Sequence, residues 1–415
     1  MRKAYTLYIQ IVGCILAVGL LAACTDSGND TAVPSSEYAP LELTLKLPSL
    51  LTTESREATG SPTLSGISFN DVWVLQYNEG GSGLLNAKYY KASDITDDES
   101  SSDFLVIVPT SSSGGTSYFT NVSSKFYTIV NGGSDLFGTL PEAQLAAPTD
   151  TLKKTPYNSA SSLNALLKSA PSTSTLADEP GLLIDGPIPY TKEGDKIAIR
   201  ANLSRTYACI NLSYKETHPE DGKFTPTEAV VVNLPTHLSL FTREGAASGV
   251  YPDVGNATTG ANRVTANGTE NTLFSSTATP STPWIADTPL TFYMGENLRG
   301  TGKATNYQGK NLSDNGPSET LDGCTYLIIR GTYQYCIKSD ADGSNPAYSP
   351  DGISVEYKLY LGGNLTNDYN IRRNMRYTVT LQISGANSAD ARVTITDSNV
   401  IVFDDSETIE NEVTL

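Results

Sequence analysis

Histidine, tryptophan and cysteine are scarce in this chain of 415 residues, which contains two, two and five of them respectively. So few imidazole and thiol groups leave little room for a zinc site or a histidine-based catalyst. Positive charge is also in deficit, because 28 Lys and Arg face 45 Asp and Glu, for a formal net charge of −17. Since a nucleic-acid-binding protein needs a basic face, the sequence excludes nucleic acid as a partner.

Glycine, proline, tyrosine and small polar residues take the place of charged ones. Charged residues make up 18% of the chain, which contains 34 Gly, 22 Pro and 23 Tyr, whereas soluble domains usually have about 25% charged residues. This mixture favours short strands joined by many turns and disfavours long helices. We therefore predict an all-β, mainly antiparallel fold with few short helices, and the length predicts two domains.

A long apolar run occurs only at the start of the chain. Arg2 and Lys3 precede the almost wholly apolar residues 9–23, a run too short for a permanent anchor, which takes roughly 20 residues. The run ends in Leu-Ala-Ala23-Cys24, the pattern of a bacterial lipobox. We predict that residues 1–23 are a signal peptide cleaved between Ala23 and Cys24, and that the Cys24 thiol carries a lipid with acyl chains such as palmitate. The alternative is an ordinary signal peptide that leaves Cys24 unmodified.

Three further cysteines, Cys209, Cys324 and Cys336, remain after the signal peptide. An odd number of thiols cannot form a complete disulfide framework. Cys324 and Cys336 can pair only across a hairpin, because along one continuous strand they would lie about 40 Å apart. We predict that the three thiols are free and buried.

Alternating leucines mark the first strand after the predicted lipidation site. Leu41, Leu43, Leu45 and Leu47 occupy every second position, which predicts a half-buried strand whose leucines face a core. The polar residues 52–62 that follow predict an exposed connector.

The rest of the chain reads as strands separated by loops. A short helix is predicted at residues 161–168 from the spacing of its leucines, and the proline-bracketed residues 185–189 are the predicted domain boundary. Residues 94–103 and 245–282 are predicted to be surface loops. Further strands are predicted at residues 72–77, 84–91, 104–108, 125–130, 196–199, 206–214, 228–233, 290–294, 325–337, 354–361, 375–384, 391–396 and 400–403.

No constellation of residues points to catalysis or to a bound metal. Residues 249–260 contain glycines but lack the strand-to-helix transition of a phosphate-binding loop. Residues 340–351 begin like a calcium loop but lack the glycine required at its sixth position. The 45 acidic residues leave the carboxylate pair of a glycosidase open as an alternative. We predict no catalytic residue, no metal site and no cofactor.

Segments along nearly the whole chain resemble, in their order, the fimbrillins of Bacteroidetes, which are the subunits of type V pili. The sharpest likeness is the run from Tyr369 to Gly385, and another is the aromatic–Glu–Asn segment from Phe292 to Asn297. The final strands depart from the family because they lack a tryptophan. The other segments that carry the resemblance are the lipobox and residues 72–77, 126–131 and 199–210.

The resemblance implies two β-sandwich, transthyretin-like domains at residues 57–188 and 189–403, with residues 199–210 entering the second. It also implies export to the cell surface as an outer-membrane lipoprotein precursor, followed by incorporation into a fimbrium. The partners are then other fimbrial subunits, the membrane lipid that holds the precursor, and a surface ligand on a host or another bacterium.

A trypsin-like surface protease, cutting after an arginine, releases the first strand in this family. Arg56 is the first arginine after Cys24 and is followed by Glu57, so the resemblance places processing between them, with residues 24–56 as tether and removable strand. The vacated groove then accepts a strand from the next subunit.

The donor of that strand is predicted at the C-terminus, in residues 404–415. Ile409, Val413 and Leu415 keep the odd parity of the leucine strand, so the tail can lay an equivalent apolar row into an equivalent groove. In the alternative, the second domain's sheet ends at residue 403 and the acidic tail frays. A stalk subunit needs a donor tail, whereas a tip or accessory subunit does not.

Two other functions remain open beside a structural and adhesive subunit that is not an enzyme. A surface glycan-binding lipoprotein would also be acidic, β-rich and tyrosine-rich, but such proteins typically present exposed aromatic platforms. Only Trp73 and Trp284 are available, and Trp73 lies in a predicted core strand. A secreted hydrolase would need a carboxylate pair that no sequence pattern reveals.

Overall fold

Strands dominate the described part of the chain in the computed structural model. The structure describes residues 37–46, 63–64, 67–81, 83–100, 104–109, 118–134, 136, 156–157, 181–216, 222–235, 238–239, 270–276, 289–338, 345–383, 393–397, 400–402 and 408–409. The helical elements in these ranges are α1 (Tyr307–Lys310) and the 3-10 turns Ala92–Asp94, Ser313–Asn315 and Pro317–Glu319.

The strands of the described residues are spread over both halves of the chain. Those of the first half are β1 (Tyr38–Lys46), β2 (Thr63–Leu64), β3 (Ile67–Ser68), β4 (Asp71–Asn78), β5 (Leu84–Lys91), β6 (Ile95–Ser100), β7 (Phe104–Pro109), β8 (Tyr118–Thr120), β9 (Ser124–Val130), β10 (Pro156–Tyr157), β11 (Leu183–Pro189), β12 (Lys192–Glu193), β13 (Lys196–Asn202) and β14 (Ser204–Arg205). Those of the second half are β15 (Tyr207–Glu216), β16 (Gly222–Val232), β17 (Leu238–Ser239), β18 (Glu270–Ser275), β19 (Leu290–Gly295), β20 (Tyr326–Lys338), β21 (Ala347–Tyr348), β22 (Ile353–Tyr360), β23 (Met375–Ile383), β24 (Val393–Asp397), β25 (Val400–Val402) and β26 (Thr408–Ile409).

The first half forms a sandwich of two sheets. One sheet has the strand order β12-β13-β1-β7-β6, with β8 also paired to β1, and the other has the order β14-β11-β9-β4-β5. Apolar side chains from the inner faces of both sheets form one buried cluster, with those of β1 and β13 on one side and those of β4 and β9 on the other. The predicted all-β, mainly antiparallel fold is therefore confirmed.

The second half repeats this plan. One of its sheets has the order β19-β15-β23-β25-β26 with β24 on β23, and the other joins β18, β16 and β20 to β21 and β22. The repeat extends to direction: β1 is parallel to β13 and antiparallel to β7, just as β15 is parallel to β23 and antiparallel to β19. Strand β15 thus holds in the second sandwich the place that β1 holds in the first.

Strands β12 and β13 correct the predicted boundary between residues 188 and 189. Both belong to the sheet of β1, with Leu43 opposite Ile199 in parallel register. Residues 199–210 were predicted to enter the second domain, but 199–205 lie in β13 and β14 of the first sandwich, and only residues 207–210, at the start of β15, belong to the second. The prolines of residues 185–189 indicated a boundary between domains. These residues instead form most of β11, whose pairing with β9 shifts register between Asp185 and Ile188.

Two predicted loops also contain strands. The acidic residues 94–103 include β6, an edge strand paired with β7, and charged residues suit an edge because they oppose pairing with other chains. Strand β18 lies inside the predicted loop 245–282 and pairs with β16. The predicted helix at residues 161–168 lies outside the described residues.

The two sandwiches meet through an apolar, tyrosine-rich cluster. Leu75 and Tyr127 on the outer face of the first sandwich pack with Tyr207, Cys209 and Tyr293 of the second. The rings of Tyr207 and Tyr293 meet edge to face, with centroids 5.6 Å apart. Burial of both sheet faces explains why these strands carry apolar residues at successive positions instead of alternating with polar ones.

The thiols agree in part with the prediction. Cys209, Cys324 and Cys336 are free, and the first two are buried, whereas Cys336 is half-buried. Strand β20 runs without a hairpin between the latter two cysteines, so they cannot approach each other. Within the described ranges, none of the helices has the length and apolar character needed to span a membrane.

Candidate functional site

Strand β1 occupies an interior position in the first sandwich although it is the first described element of the chain. It lies between β13, which it meets in parallel from Leu41 to Lys46, and β7, which it meets antiparallel from Leu43 to Lys46. Its N-terminal end pairs with β8 instead. Partners on both sides come from distant parts of the sequence, so β1 is held in place by pairing and packing.

Burial along β1 alternates as the leucine pattern predicts. Ala39, Leu41, Leu43 and Leu45 are between 0 and 2% exposed, and the residues between them are half-buried. The leucine strand is therefore confirmed for these three leucines, while Leu47 lies outside the described residues. The sequence analysis missed Ala39, which has the same odd parity and packs in the same core.

The strand that flanks β1 on one side is divided into β7 and β8. The pairs between β1 and β7 end at Leu43, and Tyr118 of β8 lies opposite Pro40. Residues 110–117, outside the described ranges, connect the two pieces. One wall of the groove that holds β1 is therefore a split strand whose second part is only three residues long.

Other predicted site residues lie outside the described part of the chain. These are Ala23 and Cys24 of the lipobox, Arg56 and Glu57 of the processing site, and Val413 and Leu415 of the tail. Ile409 lies in β26 and is opposite Val400 of β25, so in this structure that part of the tail extends the second sandwich's own sheet.

The two motif segments nearest the C-terminus meet in a buried ion pair. The Glu296 carboxylate accepts hydrogen bonds from the backbone N–H of Arg373 at 3.2 Å and from its Nε at 3.0 Å. Both side chains are less than 10% exposed. Neighbouring Asn297 and Ile371 exchange backbone hydrogen bonds of 2.8 and 2.9 Å. These segments therefore have a structural role, which is to close the end of the second sandwich.

The same corner is tied to the junction between the sandwiches. Asn374 adopts a left-handed conformation with φ of 59°, and its backbone N–H donates to the Tyr207 carbonyl at 2.8 Å. Its side-chain Oδ1 accepts from the backbone N–H of Arg205 at 3.3 Å. The Arg373–Asn374 turn thus links the second sandwich to the point where the chain leaves the first.

Lys310 of α1 is a buried lysine that sequence reasoning did not single out. Its Nζ donates to the backbone carbonyls of Asn364 at 2.6 Å and Asp368 at 2.8 Å and lies 5.1 Å from the centroid of the Tyr369 ring. Burial lowers the pKa of Lys310 to about 7, although the nearby negative charge of Asp368 opposes that shift. The lysine therefore joins α1 to residues 364–368.

Raising the pH should stabilise the protein through Lys310. The unfolded chain has the ordinary lysine pKa of 10.5 and keeps its proton between pH 7 and about 9, whereas the folded chain loses it. Because the unfolded state then binds more protons, the free energy of unfolding rises with pH in this window. Guanidinium unfolding at several pH values should show this rise for the protein and a smaller rise for Lys310→Met. Equal slopes for the two proteins would contradict the assignment.

Three carboxylates converge on the outer face of the second sandwich, but an arginine occupies their centre. Arg330 contacts Glu228 at 2.7 Å, Glu270 at 2.5 Å and Glu356 at 2.9 Å. Hydrogen bonding to Arg330 lowers the pKa of Glu270. A glycosidase needs one carboxyl group with a raised pKa as its general acid, so this cluster is suited to joining strands and unsuited to that chemistry.

The described residues offer no cluster of three or more His, Cys, Asp or Glu side chains that could hold a metal ion.

Trp73 is half-buried, and its indole N–H donates to the Gly133 carbonyl at 2.8 Å. Its ring packs against Tyr89 with centroids 5.3 Å apart. These contacts hold Trp73 in the structure of the first sandwich, while Trp284 lies outside the described ranges.

Comparison with known proteins finds similarity over part or most of the chain. Residues 292–381, which include the Glu296–Arg373 pair, match the family described as a domain of unknown function (DUF4906). No curated protein matches the chain.

Solved structures with a similar course of the chain come from several bacteria. A candidate cell adhesion protein from Parabacteroides distasonis has 14% identity over 90% of this chain and 99% of its own, with a TM-score of 0.48. One from Bacteroides eggerthii has 18% identity over 89% and 92%, with a TM-score of 0.43. The tip fimbrial protein Mfa3 from Porphyromonas gingivalis has 8% identity over 88% and 99%, with a TM-score of 0.44. At these identities and scores, the similarity establishes no function for this chain.

Proposed function

We propose that this protein is a structural subunit of a cell-surface pilus, assembled by strand exchange, with a role in adhesion. The observation that carries the proposal is the position of β1. This strand is interior to its sheet and its core face is completely buried, yet a single connector, residues 47–62, joins it to the rest of the first sandwich. One cut in that connector would separate a core strand from its domain and leave the other strands covalently joined.

Loss of β1 without a replacement strand would strongly destabilise the first sandwich. Burying a leucine contributes about 1.5–3 kcal/mol, so the three buried leucines of β1 contribute a large share of a domain's typical stability of about 5–15 kcal/mol. Loss of β1 also leaves β13 and β7 with unpaired backbone groups, which readily pair with another extended segment. A second copy of the chain, displaying a strand of matching alternation, would refill the groove.

Cleavage after Arg56 is the proposed trigger. The residue lies in the polar connector that follows β1 in sequence, and a trypsin-like surface protease is the proposed enzyme. N-terminal sequencing of assembled material should begin at Glu57, and Arg56→Ala should abolish both this N-terminus and the filaments seen by electron microscopy. A matched control, Arg200→Ala, changes an exposed arginine of β13 and should leave processing intact. Filaments built from chains that still begin at lipidated Cys24 would refute the proposal.

The tail is the proposed donor of the replacement strand. Ile409, Val413 and Leu415 supply apolar residues of one parity, and in this structure Ile409 lies in the two-residue strand β26, opposite Val400 of β25. Deleting residues 404–415 should leave a folded, lipidated monomer that no longer polymerises, as measured by electron microscopy and by sedimentation. Normal filaments from the truncated chain would show that the tail is not the donor and is dispensable for assembly.

Before processing, we propose that the lipid on Cys24 holds the precursor at the outer membrane. A set of acyl chains of the kind that bacterial lipoproteins carry anchors firmly, whereas one chain binds only weakly. Cutting after Arg56 would then free the subunit from its lipid and from β1 in the same step. The adhesive target would be a host or bacterial surface ligand.

A further inference from the structure

We propose that Gln76, Asn86 and Lys88 are positioning residues that keep β8 in place while β1 is absent, so that one wall of the groove is ready for the replacement strand. This inference rests on the proposed function, because it concerns the state between release of β1 and its replacement. The three residues lie on β4 and β5, in the sheet that faces β1 across the core.

Strand β8 needs such support because its pairing with other strands is minimal. Among the described residues, β8 has strand pairs only with β1, through three positions. The Asn121 backbone N–H, just after β8, also donates to the Glu37 carbonyl at 2.8 Å. Release of β1 removes all of these contacts together. A three-residue segment next to a long connection would then be free to move, unless other contacts hold it.

Gln76 pairs with β8 from the side opposite β1. Its Oε1 accepts from the backbone N–H of Thr120 at 3.2 Å, and its Nε2 donates to the Thr120 carbonyl at 2.7 Å. In an antiparallel pair, every second residue directs its backbone N–H and C=O away from the partner strand. Because Asn121 directs its N–H toward Glu37, on the side of β1, the backbone groups of the preceding Thr120 point to the opposite side. The carboxamide of Gln76 therefore takes the place of a neighbouring strand.

Gln76 is a polar residue in an apolar core, and its hydrogen bonds explain why it is tolerated there. The side chain is 0% exposed and lies on the same face of β4 as Val72 and Val74, which belong to the apolar core. A buried carboxamide is costly unless it is fully hydrogen-bonded. The Gln76 carboxamide is fully hydrogen-bonded, because Oε1 also accepts from Asn86 Nδ2 at 2.6 Å and Nε2 also donates to Ser124 Oγ at 2.9 Å. A leucine would suit the core but would give β8 no partner.

Asn86 and Lys88 extend this pairing along β8. Asn86 Nδ2 donates to Thr120 Oγ1 at 3.0 Å. Lys88 Nζ donates to the Tyr118 carbonyl at 2.8 Å and lies 5.1 Å from the centroid of the Phe119 ring. None of these bonds involves β1, so all of them can persist when it leaves.

Two adjacent amides allow the two sides of β8 to be measured separately by hydrogen exchange. The Thr120 N–H bonds to Gln76, and the Asn121 N–H bonds to Glu37 beside β1. In the uncleaved full chain, Gln76→Leu should speed exchange at Thr120 about tenfold or more while Asn121 stays protected. Gln334→Leu is the matched control, since Gln334 donates to the Ser349 carbonyl in the second sandwich. If Thr120 is equally protected in Gln76→Leu, the inference is wrong.

Hydrogen exchange and peptide binding of the cleaved protein, from which β1 has been removed, test the inference directly. After limited trypsin cleavage and removal of β1, Asn121 should exchange freely while Thr120 remains protected. A synthetic peptide of residues 37–46 should then bind about tenfold more weakly to cleaved Gln76→Leu than to the cleaved protein or to cleaved Gln334→Leu. Lys88→Met provides a second variant if Gln76→Leu does not fold. Joint loss of protection at Thr120 and Asn121, or equal peptide affinity, would overturn the inference.

Failure of the proposed function has a different signature. If Asn121 stays protected after cleavage, β1 has not left, and strand exchange is refuted. The pairing of Gln76 with β8 is then still decided by Thr120 exchange in the uncleaved chain.

Discussion

Replacing Leu43 by alanine should lower the free energy of unfolding of the unprocessed protein by about 2–5 kcal/mol. Leu43 is 0% exposed and lies in the middle of β1, opposite Ile199 of β13 and Ile107 of β7. Shortening it removes buried methyl groups and leaves a cavity that two flanking strands prevent from collapsing. Guanidinium unfolding of the purified precursor measures the loss.

Thr44→Ala is the matched control, because Thr44 is a half-buried neighbour on the opposite face of the same strand. It should change stability by less than about 1 kcal/mol. The proposed function adds a sharper expectation: filaments assembled from Leu43→Ala chains should be as stable as those of the unaltered protein, because processing removes residue 43. A Leu43→Ala precursor as stable as Thr44→Ala would contradict the packing argument, and weakened filaments would contradict strand removal.

Replacing Arg373 by methionine should destabilise the second sandwich by about 3–5 kcal/mol. The substitution keeps much of the side chain's volume but leaves the Glu296 carboxylate buried with its charged partner gone. Methionine cannot replace the two side-chain contacts of 3.0 Å that Arg373 makes with this carboxylate. The loss should appear as a lower guanidinium midpoint of the protein's unfolding.

Lys303→Met is the control for the loss of a cation. Lys303 pairs with Glu319 at 2.5 Å, but both side chains are more than 60% exposed, and water screens such a pair so that its loss has little effect on stability. Equal effects of Arg373→Met and Lys303→Met would show that burial does not set the strength of the Glu296 pair. It would also weaken the structural interpretation of the two motif segments.

Much of the fold follows from local pattern. The leucine alternation predicted the core face of β1, and apolar runs predicted the main strands of both sandwiches. Both predictions succeed because the alternation of side chains along a strand is a local property of the chain. The acidic segment of β6 and the prolines of β11 misled the prediction, because edge strands tolerate charge and β11 is irregular where its prolines lie.

Partnership between distant strands could not be read from the sequence. Nothing local shows that β13 lies beside β1, since their residues are more than 150 positions apart and pair only because the sheet closes around β1. The same holds for Gln76. An isolated glutamine among strand residues carries no signal until the facing backbone of Thr120 is brought to its carboxamide.

By itself, the sequence determined the class of fold and the apolar face of β1, because both depend on residues close together in the chain. Only the tertiary structure decided that β1 is an interior strand between β13 and a split β7–β8 wall, and that Glu296 meets Arg373. Those facts depend on which backbone and side-chain groups are brought together when water is excluded. That choice is made by the packing of the whole sandwich, and no single segment encodes it.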